Sequence, residues 1–160
     1  MRRGASCNKY YYMKRDSRLS VALHVLLHMA QRQASMTSEE MAACAGTNPV
    51  VIRRTFAGLR EAGIVASTKG HGGGWSLGRP LSQISLADVQ DALDEPVIAL
   101  GRAEDSPGCL IEKAVNAALD EAVVEARALL TRRLATVSLA ELFGRVDTTK
   151  IPLPKDHHHV

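Results

Sequence analysis

Aromatic side chains make up only 4% of this 160-residue chain. That scarcity removes one mode of binding at the outset. Single-stranded nucleic acid is held by stacking bases on aromatic platforms, and two phenylalanines, one tryptophan and three tyrosines bunched at Tyr10, Tyr11 and Tyr12 cannot build one. Cysteine is also sparse. Cys7, Cys44 and Cys109 are odd in number and widely separated, with no CxxC pair. They exclude a closed disulfide framework and a cysteine-pair zinc site, and reduced thiols are expected. No apolar run reaches the roughly 18 residues of a membrane-spanning helix, and the most apolar early stretch, residues 19–30, is interrupted by His24 and His28. The basic N-terminal stretch lacks a small-residue cleavage pattern, so a secretory leader is not expected either. These absences predict a cytoplasmic protein with no membrane association. A nucleophile–base pair, a metal-ligand cluster and a cofactor fingerprint are missing too. Asp88, Asp91, Asp94 and Glu95 read as helix capping and a solvated face, so neither an enzyme nor a catalytic residue is expected.

What is present is charge, unevenly placed. The formal net charge is +3. Residues 1–18 carry Arg2, Arg3, Lys9, Lys14, Arg15 and Arg18 against Asp16, or +5. Residues 46–80 carry Arg53, Arg54, Arg60, Lys69 and Arg79 against Glu61, or +4. Residues 81–105 carry six carboxylates against Arg102, or −5. Such an asymmetry fits a protein that turns one basic face to a polyanion.

The hydrophobic pattern divides the chain. Residues 1–14 have no period and read as a flexible arm. From Asp16 onward, Leu19, Ala22, Leu23, Leu26, Leu27 and Ala30 recur at three- and four-residue steps, the signature of an amphipathic helix. Thr37 to Glu40 has the form of a capping box, with Met36 and Met41 placed as a hydrophobic staple. Gly46 suits a left-handed stop. Asn48 and Pro49 then read as N-cap and first helical residue of a second short helix. On that helix Val51, Ile52, Phe56 and Leu59 are expected inward, and Val50, Arg53, Arg54, Ala57 and Arg60 outward. Residues 64–68 and 75–77 read as strands around a glycine-rich tip, residues 69–74, and Ser85 caps another helix that stops before Pro96. Residues 96–108 read as a linker. From Cys109 to about Leu134 runs the longest periodic segment, whose apolar stripe has no second long helix to cover it. Ser138 caps a short last helix, and residues 147–160 read as a flexible tail.

A capped helix, a tight glycine turn, a helix with outward arginines and a glycine-tipped hairpin together describe a winged helix-turn-helix. The fold class expected is mainly α with a small β-hairpin: a DNA-binding domain over residues 15–95, and dimerisation helices over 109–146. A helix about 10–12 Å across fits the major groove of B-DNA, while a hairpin can reach the flanking backbone or minor groove. Double-stranded DNA is therefore the expected partner. Arg53 and Arg54 are the leading candidates for base or phosphate contact, with Val50 on the same face. Thr47, Asn48 and Pro49 stand at the helix N-terminus, where backbone N–H groups suit a phosphate. Lys69, His71 and Arg79 would serve the wing, and Trp75 would pack the hairpin. The glycine tip is not a nucleotide-binding loop, because it lacks the Lys-Ser/Thr ending and runs into a strand. An interaction module built on the same scaffold is the alternative from another class.

Two thiol or imidazole sets remain. Cys109, at a helix start, suits either a redox switch, since the helix dipole favours a thiolate, or a small apolar residue in a dimer seam. Cys44 is expected in the core. His24 and His28 share a helical face, but the sequence places no third ligand, so packing or hydrogen bonding is expected and no metal site is assigned.

The segments from Thr47 to Arg54, Leu59 to Val65 and Gly70 to Leu77 resemble the Rrf2 family of bacterial transcription regulators. The resemblance covers about residues 13–146. It implies a homodimer joined through the 109–134 helix, from whose symmetry a palindromic operator follows. The expected function is that of a dimeric repressor of such an operator, with a regulator that responds to a thiol reagent or small molecule through Cys109 as an alternative. Cluster-binding members resemble one another in having three closely spaced cysteines before the dimer helix. Residues 95–108 have none here, which implies the cluster-free branch and no iron–sulfur cluster.

Overall fold

The computed structural model describes residues 18–70, 73–94 and 109–147. The expected arm, the linker, His71 at the hairpin tip and the tail beyond Asp147 lie outside them.

Helix α1 (Arg18–Arg32) buries Ala22 and Leu26 of the expected stripe together with Val25 and Met29, while Leu19, Leu23, Leu27 and Ala30 are only half-buried, so its inner face is turned from the one the periodicity marks. It ends near Met36, which begins the next structural device. The Thr37 hydroxyl accepts from the Glu40 N–H at 3.2 Å, and the Glu40 carboxylate accepts from the Thr37 N–H at 2.8 Å. This reciprocal cap starts α2 (Ser38–Ala45) as the sequence requires. Gly46 closes it at φ +66°, a conformation that side chains with a Cβ disfavour. The Asn48 side-chain Oδ1 then accepts from the Val51 N–H at 3.0 Å, and Pro49 opens α3 (Pro49–Glu61).

One side of α3 differs from the expectation. Ile52, Thr55, Phe56 and Leu59 are buried, whereas Val51 is exposed. With about 100° of turn per residue, the seam set by Ile52, Phe56 and Leu59 draws Thr55 inward and leaves Val51 at its edge.

The hairpin pairs β1 (Val65–Thr68) with β2 (Gly74–Leu77), antiparallel, with Val65 opposite Leu77 and Ser67 opposite Trp75. Met36 adds a third, single-residue rung: its N–H donates to the Trp75 carbonyl at 2.9 Å and its own carbonyl accepts from Trp75 at 2.8 Å. Trp75 locks the hairpin to the helices. Its ring meets Phe56 edge-on at 5.7 Å, and its Nε1–H donates to the Ser38 hydroxyl at 3.1 Å. This is the packing role expected of it, with the polar edge satisfied as a buried indole requires.

A short 3-10 turn (Leu81–Gln83) leads to α4 (Leu86–Ala92), which opens on a capping box between Ser85 and Asp88. Helices α3 and α4 approach closely at Gly58, where a Cβ would lie 2.2 Å from the Ala92 carbonyl oxygen. The 26-residue α5 (Leu110–Ala135) has no buried residue. After it the chain returns to the domain. Leu86 N–H donates to the Val137 carbonyl at 2.9 Å, Leu139 N–H donates to that of Ile84 at 2.8 Å, and Leu139, in α6 (Leu139–Gly144), is fully buried in the same core as Phe56 and Leu26. The architecture is that of a winged helix-turn-helix with a long C-terminal helix. Among the described residues no helix is long and apolar enough to cross a membrane.

Candidate nucleic-acid interface

Helix α3 presents Val50, Arg53, Arg54 and Arg60 to solvent, with Val50 66% exposed. Burial of Ile52, Phe56 and Leu59 on the opposite side fixes that orientation, so the arginines are held outward by the core. Arg53 Nη1 lies 3.4 Å from the Glu39 carboxylate of α2, and both side chains are more than half exposed. A pair in that setting contributes on the order of 0–1 kcal/mol, and a polyanion can displace it.

At the start of α3, Thr47 and Pro49 are half-buried and Asn48 is exposed. Asn48 commits its oxygen to the cap and Pro49 has no N–H, so this terminus offers fewer donors to a phosphate than a bare helix start would. The Asn48 amide nitrogen is the donor that remains on that side chain. Lys69 is exposed at the end of β1. Arg79 is half-buried and turns toward α4, 3.9 Å from the Asp88 carboxylate, with its buried Nε lacking a partner. It braces the base of the hairpin as well as carrying wing charge.

The electrostatics behind this face are settled by the caps. Burial works to raise the Glu40 carboxyl, but the Thr37 N–H and the Arg32 guanidinium, 2.8 Å away, outweigh it and hold the group below its ordinary value. His28 is also lowered, by burial first and by neighbouring His24 second.

Cys109 is exposed and caps α5, its sulfur accepting from the Glu112 N–H at 3.5 Å. In the single chain it is not a buried apolar residue. Cys44 departs from expectation in another way. It is half-buried, stands outside the core cluster, and its sulfur lies 3.5 Å from His24 Nε2. Sequence spacing relates His24 to His28, but only the crossing of α1 over α2 brings Cys44 to them.

Residues 15–145 match the sequence profile of Rrf2, described as an iron-dependent transcriptional regulator. The chain is similar to YwnA of Bacillus subtilis, assigned to the HTH-type transcriptional regulators. Identity is 32% over 132 residues, or 82% of this chain and 98% of YwnA. A crystal structure described as that of a DNA-binding protein aligns at a TM-score of 0.61 with 32% identity, over 79% of this chain and 98% of that one. CymR, the global cysteine regulator of B. subtilis, aligns at 0.60 with 20% identity over 84% of this chain and 99% of its own, a likeness of fold.

Iron dependence can be set against the donors present. A cluster needs several thiolates. Among the described residues the donor grouping of three or more is His24, His28 and Cys44, with one thiol, and Cys109 is not part of it. These residues do not fit an iron–sulfur cluster.

Proposed function

The chain belongs to the Rrf2 family and is a DNA-binding transcriptional regulator, and from that premise we propose that it is a cytoplasmic, homodimeric repressor of a palindromic operator. The observation that carries the reading is the outward row of Val50, Arg53, Arg54 and Arg60 on the second helix of the helix-turn-helix. Arg53 and Arg54 read base edges or phosphates in the major groove, Thr47, Asn48 and Pro49 seat the helix start on the backbone, and Lys69, His71 and Arg79 serve the wing. Two copies meet through α5. Ile111, Val115 and Leu119, four residues apart on one face, are 78%, 52% and 51% exposed in the single chain, an apolar row that a second α5 would cover. The regulator is assigned no enzymatic activity and, given its thiols, no iron–sulfur cluster.

Fluorescence polarisation with the promoter upstream of its own gene tests the reading. Binding to that fragment should exceed binding to a scrambled one, and log affinity should fall against log salt by about 0.9 per phosphate neutralised. Equal affinity for both fragments would leave only a non-specific polyanion binder. A second reading adds a switch. The exposed Cys109 sulfur at the α5 N-cap favours control by thiol modification, and alkylation that left operator affinity unchanged would remove it.

A further inference from the structure

We propose that His24, His28 and Cys44 form a binding site for a divalent metal ion of the zinc class, bridging α1 and α2. Each residue offers one donor atom, and the three lie within 4.8 Å of one another. The donor set is one thiolate and two imidazoles, the borderline-soft combination that zinc takes in preference to magnesium or calcium. Distances agree with the coordination. With a zinc–sulfur bond of about 2.3 Å and a zinc–nitrogen bond of about 2.0–2.1 Å, tetrahedral ligands of those types stand roughly 3.5 Å apart, and Cys44 Sγ lies 3.5 Å from His24 Nε2. The histidines are one helical turn apart on α1, their ring centroids 4.7 Å from each other. Both ends of the site are held: α1 by Ala22, Val25, Leu26 and Met29 in the core, α2 by its capping box and buried Met41. From a separation of at most 4.8 Å to the roughly 3.5 Å of tetrahedral ligands, the donors have about an ångström to close.

All three residues are half-buried, so an ion can enter from solvent and a water molecule can take the fourth position. His24 Nε2–H donates to the Cys44 carbonyl at 3.2 Å. Binding therefore requires that proton to move to Nδ1, where the other ring nitrogen can hold it, and the Cys44 thiol to release its own, which couples affinity to pH. The site is separate from any thiolate cluster, because Cys109 takes no part.

Cobalt(II) is the probe, since its spectrum reports both geometry and thiolate ligation. Titrating it into the reduced, full-length protein should give intense visible bands of a four-coordinate ion and a thiolate-to-cobalt charge-transfer band in the near ultraviolet, saturating at one equivalent. Cys44→Ser should abolish the charge-transfer band, and His28→Gln should weaken binding by more than the roughly 10–100-fold that outer-shell changes produce. Cys7→Ser and Cys109→Ser should keep the full spectrum, as should removal of the histidine-bearing tail after residue 150. Zinc should raise the melting temperature of the wild type and leave that of His28→Gln unmoved. A weak octahedral spectrum, a charge-transfer band that survives Cys44→Ser, or one that vanishes with Cys109→Ser would overturn the assignment. Operator affinity is not a readout here, so the outcome is independent of the DNA-binding reading.

Discussion

Arg53 stands between two acidic partners, the Glu39 carboxylate at 3.4 Å and the polyanion it is proposed to meet. Because the internal pair is exposed and weak, its removal should free the guanidinium at little cost to stability. Glu39→Gln should raise operator affinity a few-fold, whereas Arg53→Ala and Arg54→Ala should each reduce discrimination between operator and scrambled DNA by about 1–3 kcal/mol where a base is contacted. Competition binding at fixed salt measures both, and a Glu39→Gln variant that bound less tightly would contradict this role for Arg53. Glu40 makes a prediction of the opposite kind, about folding. Its carboxyl is held below its ordinary value of about 4.5. Its contribution to stability is therefore complete above that pH and is lost as the pH falls through the lowered native value. Acid denaturation followed by circular dichroism should show wild type losing its advantage over Glu40→Gln in that window, and a constant difference down to the acid limit would refute the assignment.

At the scale of elements, most of what the sequence carried was local. Thr37, Glu40, Asn48, Pro49, Ser85 and Ser138 mark helix starts because capping is settled within four residues: Thr37, Asn48, Ser85 and Ser138 are N-caps as expected, Glu40 completes the Thr37 box, and Pro49 takes the first helical position. Periodicity found Ala22 and Leu26 on α1 and Ile52, Phe56 and Leu59 on α3, but it passed over Val25, Met29 and Thr55 and put Val51 inside, since a helix seam is set by what lies across it. Two features had no local signal at all. One is Cys44 beside His24, and the other is Leu139 returning to the core from beyond α5; both depend on how distant segments cross. Gly58 is similar, read only as part of a helix until Ala92 is placed against it. Gly58→Ala would press a methyl group onto a carbonyl oxygen at 2.2 Å. Forcing α3 from α4 should lower stability by about 1–3 kcal/mol, measurable as an earlier urea midpoint, and a variant as stable as wild type would show that the two helices separate freely.

Across the whole molecule, the basic face of α3 and the apolar row of α5 act together only if the protein is paired. An isolated winged helix covers one half-site, and two-fold symmetry converts that into an inverted repeat. Leu119→Glu should leave the domain folded, because Leu119 is exposed and absent from the core. It should also yield monomers in sedimentation velocity and much weaker operator binding. A dimeric Leu119→Glu protein would place the subunit contact elsewhere. The most direct test of the central claim is selection of genomic DNA fragments by the purified protein, run in parallel with the Arg53→Ala, Arg54→Ala double variant. Wild type should enrich one inverted repeat whose half-sites are about one helical turn apart, or a multiple of it, and the variant should fail to enrich it. Enrichment of the same sequence by both proteins, or of no shared sequence by wild type, would contradict the account.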